Sequence, residues 1–168
     1  MNEQMLSGVL PTIFYSKYNE SQKMGSLVVS MRGCLDLFKV VTSTKQQNAI
    51  IEYVGNVIDN ALADSKNKNP LLNKNPTIVT FINLQGVLMS DLTKQVKQFT
   101  VKIIQFAQEK YIDIMVKTYI YNPPVFFKIA YSFFYPFIDK DTRQKISVVK
   151  KKKDKEKLIM SVEDYCKE

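Results

Sequence analysis

The sequence predicts an α/β protein with a mostly parallel, twisted sheet covered by helices. Short β-rich runs alternate with segments of helical periodicity, in the order β-β-α-β-α-β-α-β. One run, residues 77–84, is apolar on both faces, which is typical of a strand inside a covered sheet. The length of 168 residues suits one domain. The 45% of hydrophobic and 24% of charged residues are ordinary values for a folded chain.

The first elements are two short strands that can pair in antiparallel fashion. Residues 12–16 and 27–31 are β-rich, and residues 18–23 between them are polar and turn-like. The apolar run 35–41 fits either a helix or a strand. A core-facing helix is predicted over residues 44–63, because its apolar residues recur at three- and four-residue spacing. Those residues are Ala49, Ile50, Tyr53, Val54, Val57, Ile58, Ala61 and Leu62.

A surface loop over residues 64–76, rich in Asn, Lys and Pro, precedes the central strand 77–84. Ser90 or Asp91 is expected to cap the next helix. Its apolar side consists of Leu92, Val96, Phe99, Ile103, Phe106 and Ala107.

The last third contains two more predicted strands, residues 115–121 and 146–149, with an apolar helix over residues 125–138 between them. Asn122-Pro123-Pro124 ends the first of these strands and can open the helix, because proline fits a first helical turn. A short closing helix is expected over residues 156–162.

The composition excludes several classes of function. The chain has no histidine, which removes Ser-His-Asp and Cys-His pairs and HExxH zinc sites, and we expect no catalysis and no metal. The five glycines form no phosphate-binding loop. Cys34 and Cys166 form no CxxC motif, which favours a reducing compartment. With no secretory signal and no apolar run of about 18 residues, we expect a cytoplasmic protein.

The net charge of +8 is concentrated near the C-terminus. Between Lys140 and Lys157, nine Lys and Arg residues outnumber three acidic residues, and Lys150, Lys151, Lys152 and Lys153 are consecutive. Such a cluster favours an anionic lipid surface or a nucleic acid, although a solvated loop without a partner has the same composition. The run 150–157 lacks aromatic residues that would stack on bases, which disfavours nucleic acid.

Aromatic residues are concentrated in residues 119–137, which contain nine of the 19 in the chain. In the predicted helix 125–138, a narrow polar strip interrupts an otherwise apolar circumference; it comprises Lys128, Ser132, Tyr135 and Asp139. A surface helix meets the sheet on one side only, so the remaining apolar surface faces a cavity, a partner or a membrane, unless other parts of the protein bury it. Pro136 predicts a kink.

The same region resembles the CRAL-TRIO lipid-binding domain of the yeast phosphatidylinositol transfer protein and its relatives. The motifs are Tyr119-Ile-Tyr-Asn-Pro-Pro-Val-Phe-Phe127 and Tyr135-Pro-Phe-Ile-Asp139, followed by Thr142 and Lys145-Ile146. Weaker similarity lies upstream, in Phe81-Ile-Asn-Leu-Gln-Gly86, Glu109-Lys-Tyr-Ile-Asp113 and Gly25-Ser-Leu-Val28.

The resemblance implies a division of the chain into three parts. Residues 1–24 are a lead-in strand and turn, residues 25–149 are the CRAL-TRIO-like domain, and residues 150–168 are a basic segment. Most of the helical module that usually precedes this domain is lacking, so we expect that a protein partner can complete the pocket.

The resemblance also implies a mechanism, in which the helix 125–138 is a gate over a lipid pocket and opens at a membrane. The gate and acyl-pocket residues are then Phe126, Phe127, Ile129, Ala130, Phe133, Phe134 and Phe137. Opening is expected to present Phe126, Phe127, Phe133 and Phe134 to the bilayer.

The headgroup set of the family carries over to Asp113, Thr142 and Lys145. Lys145 can pair with a phosphate, Thr142 can donate a hydrogen bond, and Asp113 can accept from inositol hydroxyls or hold Lys145. Thr142 capping a turn and a solvated Lys145 are the structural alternatives. Thr80 matches a position that relatives use for choline phospholipid, but Ile78, the companion position, is apolar.

These observations predict non-catalytic binding or transfer of phosphatidylinositol or a related phospholipid. The expected partners are the bound lipid and, transiently, a membrane surface, with Lys150–Lys153 directed to anionic lipid; no cofactor other than the lipid and no nucleic acid is expected. The alternative is a protein-interaction module of the same fold, for a small GTPase or another partner. A flat sheet face without ligand and stable dimers would favour this alternative.

Overall fold

The structure, a computed structural model, describes residues 3–149. The strands are β1 (Phe14–Asn19), β2 (Met24–Ser30), β3 (Ile78–Asn83), β4 (Met115–Tyr121) and β5 (Ile146–Val149). The helices are α1 (Glu3–Ile13), α2 (Met31–Val40), α3 (Thr44–Lys68), α4 (Lys94–Lys110), α5 (Phe127–Phe134) and α6 (Lys140–Lys145). Single 3-10 turns lie at Pro70–Leu72, Met89–Asp91 and Tyr135–Phe137.

The five strands form one sheet in which spatial order follows chain order, β1-β2-β3-β4-β5. β1 and β2 are an antiparallel hairpin, and the other neighbouring pairs are parallel. The predicted α/β class with a mostly parallel sheet is therefore confirmed. Crossovers between parallel strands are right-handed. Because these strands follow one another in one direction across the sheet, their connecting helices lie on the same face of the sheet.

The two faces of the sheet have different coverings. Leu27 and Val29 of β2 point into the main core, to which α1, α2, α3, α4 and α5 all contribute. Val28 points to the opposite face, where it packs with Val79 and Phe81. Within residues 3–149, this second cluster contains strand residues only. The helical layer and the sheet face below it therefore enclose the main core.

α3 packs directly on β2. A Cβ at Gly25 would lie 1.8 Å from the carbonyl oxygen of Ala61, so only glycine permits this approach. The buried hydroxyl of Ser65 accepts a hydrogen bond from the Gly25 amide at 2.7 Å and donates one to the Thr77 carbonyl at 2.5 Å. These contacts explain why α3 continues to Lys68, so the predicted loop over residues 64–76 is wrong in its first part.

Two further predictions of local structure are corrected, and one segment that the sequence left open is assigned. Residues 3–13 form a helix, so Thr12 and Ile13 of the predicted strand 12–16 belong to α1 and β1 begins only at Phe14. Leu6, Leu10 and Ile13 are buried in the main core. The ambiguous run 35–41 lies mostly in helix α2. Thr93 caps α4 in place of the predicted Ser90 or Asp91, and its hydroxyl accepts a hydrogen bond from the Val96 amide at 3.3 Å. The side chain of Asp91 instead pairs with Arg32 and Lys39.

The predicted closing helix over residues 156–162 lies outside the described residues. The division at residues 24 and 149 stays a prediction, although α1 and β1 share the core of the following elements.

Candidate functional site

The main core encloses a cavity of about 570 Å³ between the sheet and the helical layer. Its floor is formed by side chains of β2, β3 and β4, and its walls are formed by α3, α4 and α5. Most of the lining side chains are apolar. The volume lies within the range of small-molecule binding pockets.

One wall of the cavity is α5, which begins after a sharp turn at the end of β4. Asn122 adopts a positive φ of 54°. Its side-chain nitrogen donates a hydrogen bond to the side-chain oxygen of Asn83 at 3.0 Å. Pro123 and Pro124 follow. Of the predicted helix 125–138, residues 127–134 are α-helical and residues 135–137 form a 3-10 turn, because Pro136 lacks the amide that would continue the α-helix.

α5 has one face towards the cavity and one towards solvent. Phe126, Phe127, Ala130 and Phe134 line the cavity, as does Tyr131, which is not among the predicted gate residues. Burial raises the pKa of Tyr131, which is consistent with an apolar surrounding.

Three of the predicted gate residues point outwards instead. Ile129 is 64% exposed, Phe133 40% and Phe137 38%, and Val125 beside them is fully exposed. The predicted set is therefore divided between the two faces, and an apolar strip already lies on the outside of α5. We call Val125, Ile129, Phe133 and Phe137 the outer strip.

The C-terminal end of this segment is tied to α4 and α6. The side chain of Gln108 donates to the Phe137 carbonyl at 3.0 Å and accepts from the Asp139 amide at 2.8 Å. Arg143 donates to the Ile138 carbonyl at 2.6 Å, and its guanidinium lies 4.0 Å from the ring centroid of Tyr135. These contacts fasten one end of the segment by hydrogen bonds that can break individually.

The three predicted headgroup residues all line one end of the cavity. Lys145 Nζ lies 3.8 Å from the Asp113 carboxylate, and the side chains are 29% and 81% exposed. The Thr142 hydroxyl donates to Asp139 at 2.6 Å, and the Thr142 amide donates to the same carboxylate at 2.8 Å. Thr142 thus also belongs to the cap of α6, and its two hydrogen bonds lower the pKa of Asp139.

Thr80 lies on the cavity floor and is 6% exposed. Its hydroxyl contacts the Met115 sulfur at 3.5 Å. Ile78, the apolar companion position of Thr80, lines the same floor. Lys150, Lys151, Lys152 and Lys153 lie outside the described residues.

An ion-pair cluster around the buried side chain of Asp91 was not predicted. The side chain of Asp91 is 3% exposed and lies 2.5 Å from both Arg32 and Lys39. Arg32 also pairs with Asp36 and donates to the Gly86 carbonyl. Asp91 is more than 50 residues away from both Arg32 and Lys39 in the chain, so no local sequence pattern could reveal these two pairs. The cluster holds α2 against the loop that follows β3.

Two classes of site are absent from the described part of the chain. No group of three or more Cys, Asp or Glu residues within it could hold a metal ion. No helix among residues 3–149 is long and apolar enough to cross a membrane.

Comparisons with known proteins agree with this architecture. The crystal structure of Sfh5 superposes with a TM-score of 0.67 at 16% sequence identity. The alignment covers 88% of this chain and 51% of Sfh5, so the chain spans about half the length of that protein. No curated protein matches the sequence. The model of the CRAL/TRIO domain matches residues 19–167. The chain therefore belongs to the CRAL/TRIO domain family, a family of lipid-binding and lipid-transfer proteins.

Proposed function

We propose that this protein binds a phospholipid, most specifically phosphatidylinositol, and transfers it between membranes without catalysis. The observation that carries the proposal is the apolar cavity of about 570 Å³, which has Asp113, Thr142 and Lys145 at one end and α5 along one wall. In this proposal the acyl chains lie in the apolar part of the cavity, and the headgroup lies at the polar end.

The chemistry of the polar end favours an inositol headgroup. Lys145 is the one cation that lines the cavity within the described residues, and it supplies a point charge for a phosphate. Asp113, Asp139 and Asp141 line the same cavity. Carboxylates accept hydrogen bonds from inositol hydroxyls.

The gate role of α5 and its docking to membranes are part of the proposal. The outer strip gives α5 an apolar face that needs no rearrangement to touch a bilayer. A fully buried Phe or Ile contributes about 1.5–3 kcal/mol, so a few such residues suffice for reversible docking. The Lys150–Lys153 run would add attraction to anionic lipid, about 1 kcal/mol per residue.

The test begins with the protein purified from a eukaryotic host and extracted with organic solvent. We expect mass spectrometry to find close to one phospholipid per protein, and the delipidated protein to move phosphatidylinositol between vesicles. Ala130→Phe, which fills the cavity, should abolish transfer, whereas Ser132→Phe on the exposed side of α5 should not. A protein that carries no lipid and takes up none from vesicles would contradict the proposal and favour a protein-interaction module.

A further inference from the structure

Two threonines stand side by side on the floor of the cavity. Thr80 of β3 and Thr118 of β4 are paired in the parallel register of these strands. Both side chains line the cavity, and the residues are only 6% and 4% exposed. They therefore present two hydroxyl groups inside an otherwise apolar compartment.

The hydroxyl groups have a poor hydrogen-bond partner. Thr118 Oγ1 lies 2.8 Å from Met115 Sδ, and Thr80 Oγ1 lies 3.5 Å from the same sulfur. Within residues 3–149, this sulfur is the acceptor found for both groups. A thioether is a weak acceptor, so two buried donors remain largely unsatisfied by the protein. An oxygen atom of a ligand would be a stronger acceptor.

The position of the pair specifies which ligand oxygen can reach it. Thr118 is paired across the sheet with Ile146, the residue that follows Lys145. Ile82 and Ile120 occupy the next row of the floor, two residues further along the strands and thus about 7 Å further from that end. The hydroxyl pair therefore lies between the polar end and the apolar interior. In a glycerophospholipid, the ester carbonyls lie between the phosphate and the acyl chains.

We infer that Thr118, together with Thr80, forms a subsite for an acyl ester carbonyl of the bound lipid. The inference rests on the proposed function, because the phosphate at Lys145 sets the depth at which the ester lies. The hydroxyl groups turn from the Met115 sulfur and donate to the carbonyl oxygen. The site therefore selects ester-linked lipids over ether-linked lipids with the same headgroup and chains.

The test compares two synthetic lipids, phosphatidylinositol with ester-linked chains and its analogue with ether-linked chains, in competition for the delipidated protein. One or two hydrogen bonds correspond to a preference of roughly two- to tenfold for the ester-linked lipid. Thr118→Val, which keeps the shape of the side chain, should remove this preference. Thr118→Ser, which keeps the hydroxyl, should retain it.

The matched control is Thr100→Val. Thr100 also lines the cavity, but its hydroxyl donates to the Val96 carbonyl at 2.9 Å within α4. This variant should therefore keep the preference for the ester. Equal binding of the two lipids by the wild-type protein, or an undiminished preference in Thr118→Val, would overturn the inference and leave lipid binding intact. Failure to bind either lipid would overturn the proposed function, and this inference with it.

Discussion

The charge of Lys145 is the feature of the polar end that most directly tests phosphate recognition. Its one ion-pair partner in the described residues, Asp113, lies 3.8 Å away and is 81% exposed, and such pairs contribute little to stability. We expect Lys145→Ala to weaken binding of phosphatidylinositol vesicles by roughly tenfold, with a melting temperature within about 2 °C of wild type.

Lys140→Ala is the matched control for this prediction. Lys140 is exposed in the same helix, α6, but it does not line the cavity. Its removal changes the net charge equally and should leave binding almost unchanged. Equal effects of the two variants would mean that Lys145 acts only through the overall charge.

Asp91 is expected to be the residue on which stability depends most among the ionised groups described. Asp91→Asn removes the buried carboxylate that pairs with both Arg32 and Lys39 and leaves them the exposed Asp36 as ion-pair partner, so we expect a loss of about 2 kcal/mol in the free energy of unfolding in urea. Asp36→Asn is the control, because Asp36 is 57% exposed and should cost less than about 1 kcal/mol.

The pH dependence of stability follows from the same carboxylate. Burial alone would raise the pKa of Asp91, but hydrogen bonds from Lys39, the Leu88 amide and Arg32 outweigh it and lower the pKa. The stabilisation is therefore complete above the unfolded pKa of about 3.9 and is lost as the pH falls through the folded value. The difference between wild type and Asp91→Asn should shrink in acid; a constant difference would argue against the ion pairs.

At the scale of elements, Gln108 controls how firmly the end of the α5 segment is held. Its two hydrogen bonds join α4 to Phe137 and Asp139. If this end must detach for lipid exchange, Gln108→Ala should accelerate release of a fluorescent phospholipid in stopped-flow experiments by roughly tenfold. Gln105→Ala, an exposed position of the same helix, should have no effect. Unchanged release in both variants would exclude a gating role for this contact.

The outer strip of α5 makes a separate prediction about membranes. Ile129→Ser with Phe133→Ser should reduce cosedimentation with anionic vesicles by roughly tenfold, because both side chains are exposed and apolar. The melting temperature should change little. Leu71→Ser provides the control, since Leu71 is 91% exposed but lies on the turn after α3. Undiminished cosedimentation of the double variant would argue that membranes do not contact this face.

The elements that the sequence predicted best are those with a strong local pattern. β3 and β4 were identified from β-branched and apolar runs, and α3 from its helical spacing. α1 was missed because residues 12–16 are β-rich and predicted a strand, whereas buried Leu6 and Leu10 hold the helix against the core. Tertiary packing outweighed local propensity there.

For the site, the sequence predicted the polar residues at one end of the cavity and four of the seven gate residues that line it, but not that Ile129, Phe133 and Phe137 face outwards. Asp113, Thr142 and Lys145 meet at one end because the turn before β4 and the helix before β5 lie at the same edge of the sheet. Thr118 escaped notice because its pairing with Thr80 depends on strand register, which shifts between Ile78 and Val79. A shift of one residue exchanges the two faces of a strand.

For the whole molecule, the cavity shares its walls with the main core, so a bound lipid should stabilise the fold. A ligand at one hundred times its dissociation constant adds about 2.7 kcal/mol. For a chain of this length, that corresponds to a rise of about 5–10 °C in melting temperature. Scanning calorimetry of the delipidated protein with and without phosphatidylinositol measures it. Ala130→Phe should show no rise, and a rise of equal size in that variant would place the lipid elsewhere.

The strand order of the sheet has a consequence for how the chain is made. Each strand pairs with the strand synthesised just before it, so no strand has to wait for a distant, later segment. Such a sheet can grow one strand at a time as the chain leaves the ribosome, although each parallel pairing first has to close a connection of 24 to 47 residues. Among the described strands β5 is added last, together with Thr142 and Lys145 of the polar end. The compartment for the lipid is therefore completed only when nearly all of its walls already exist.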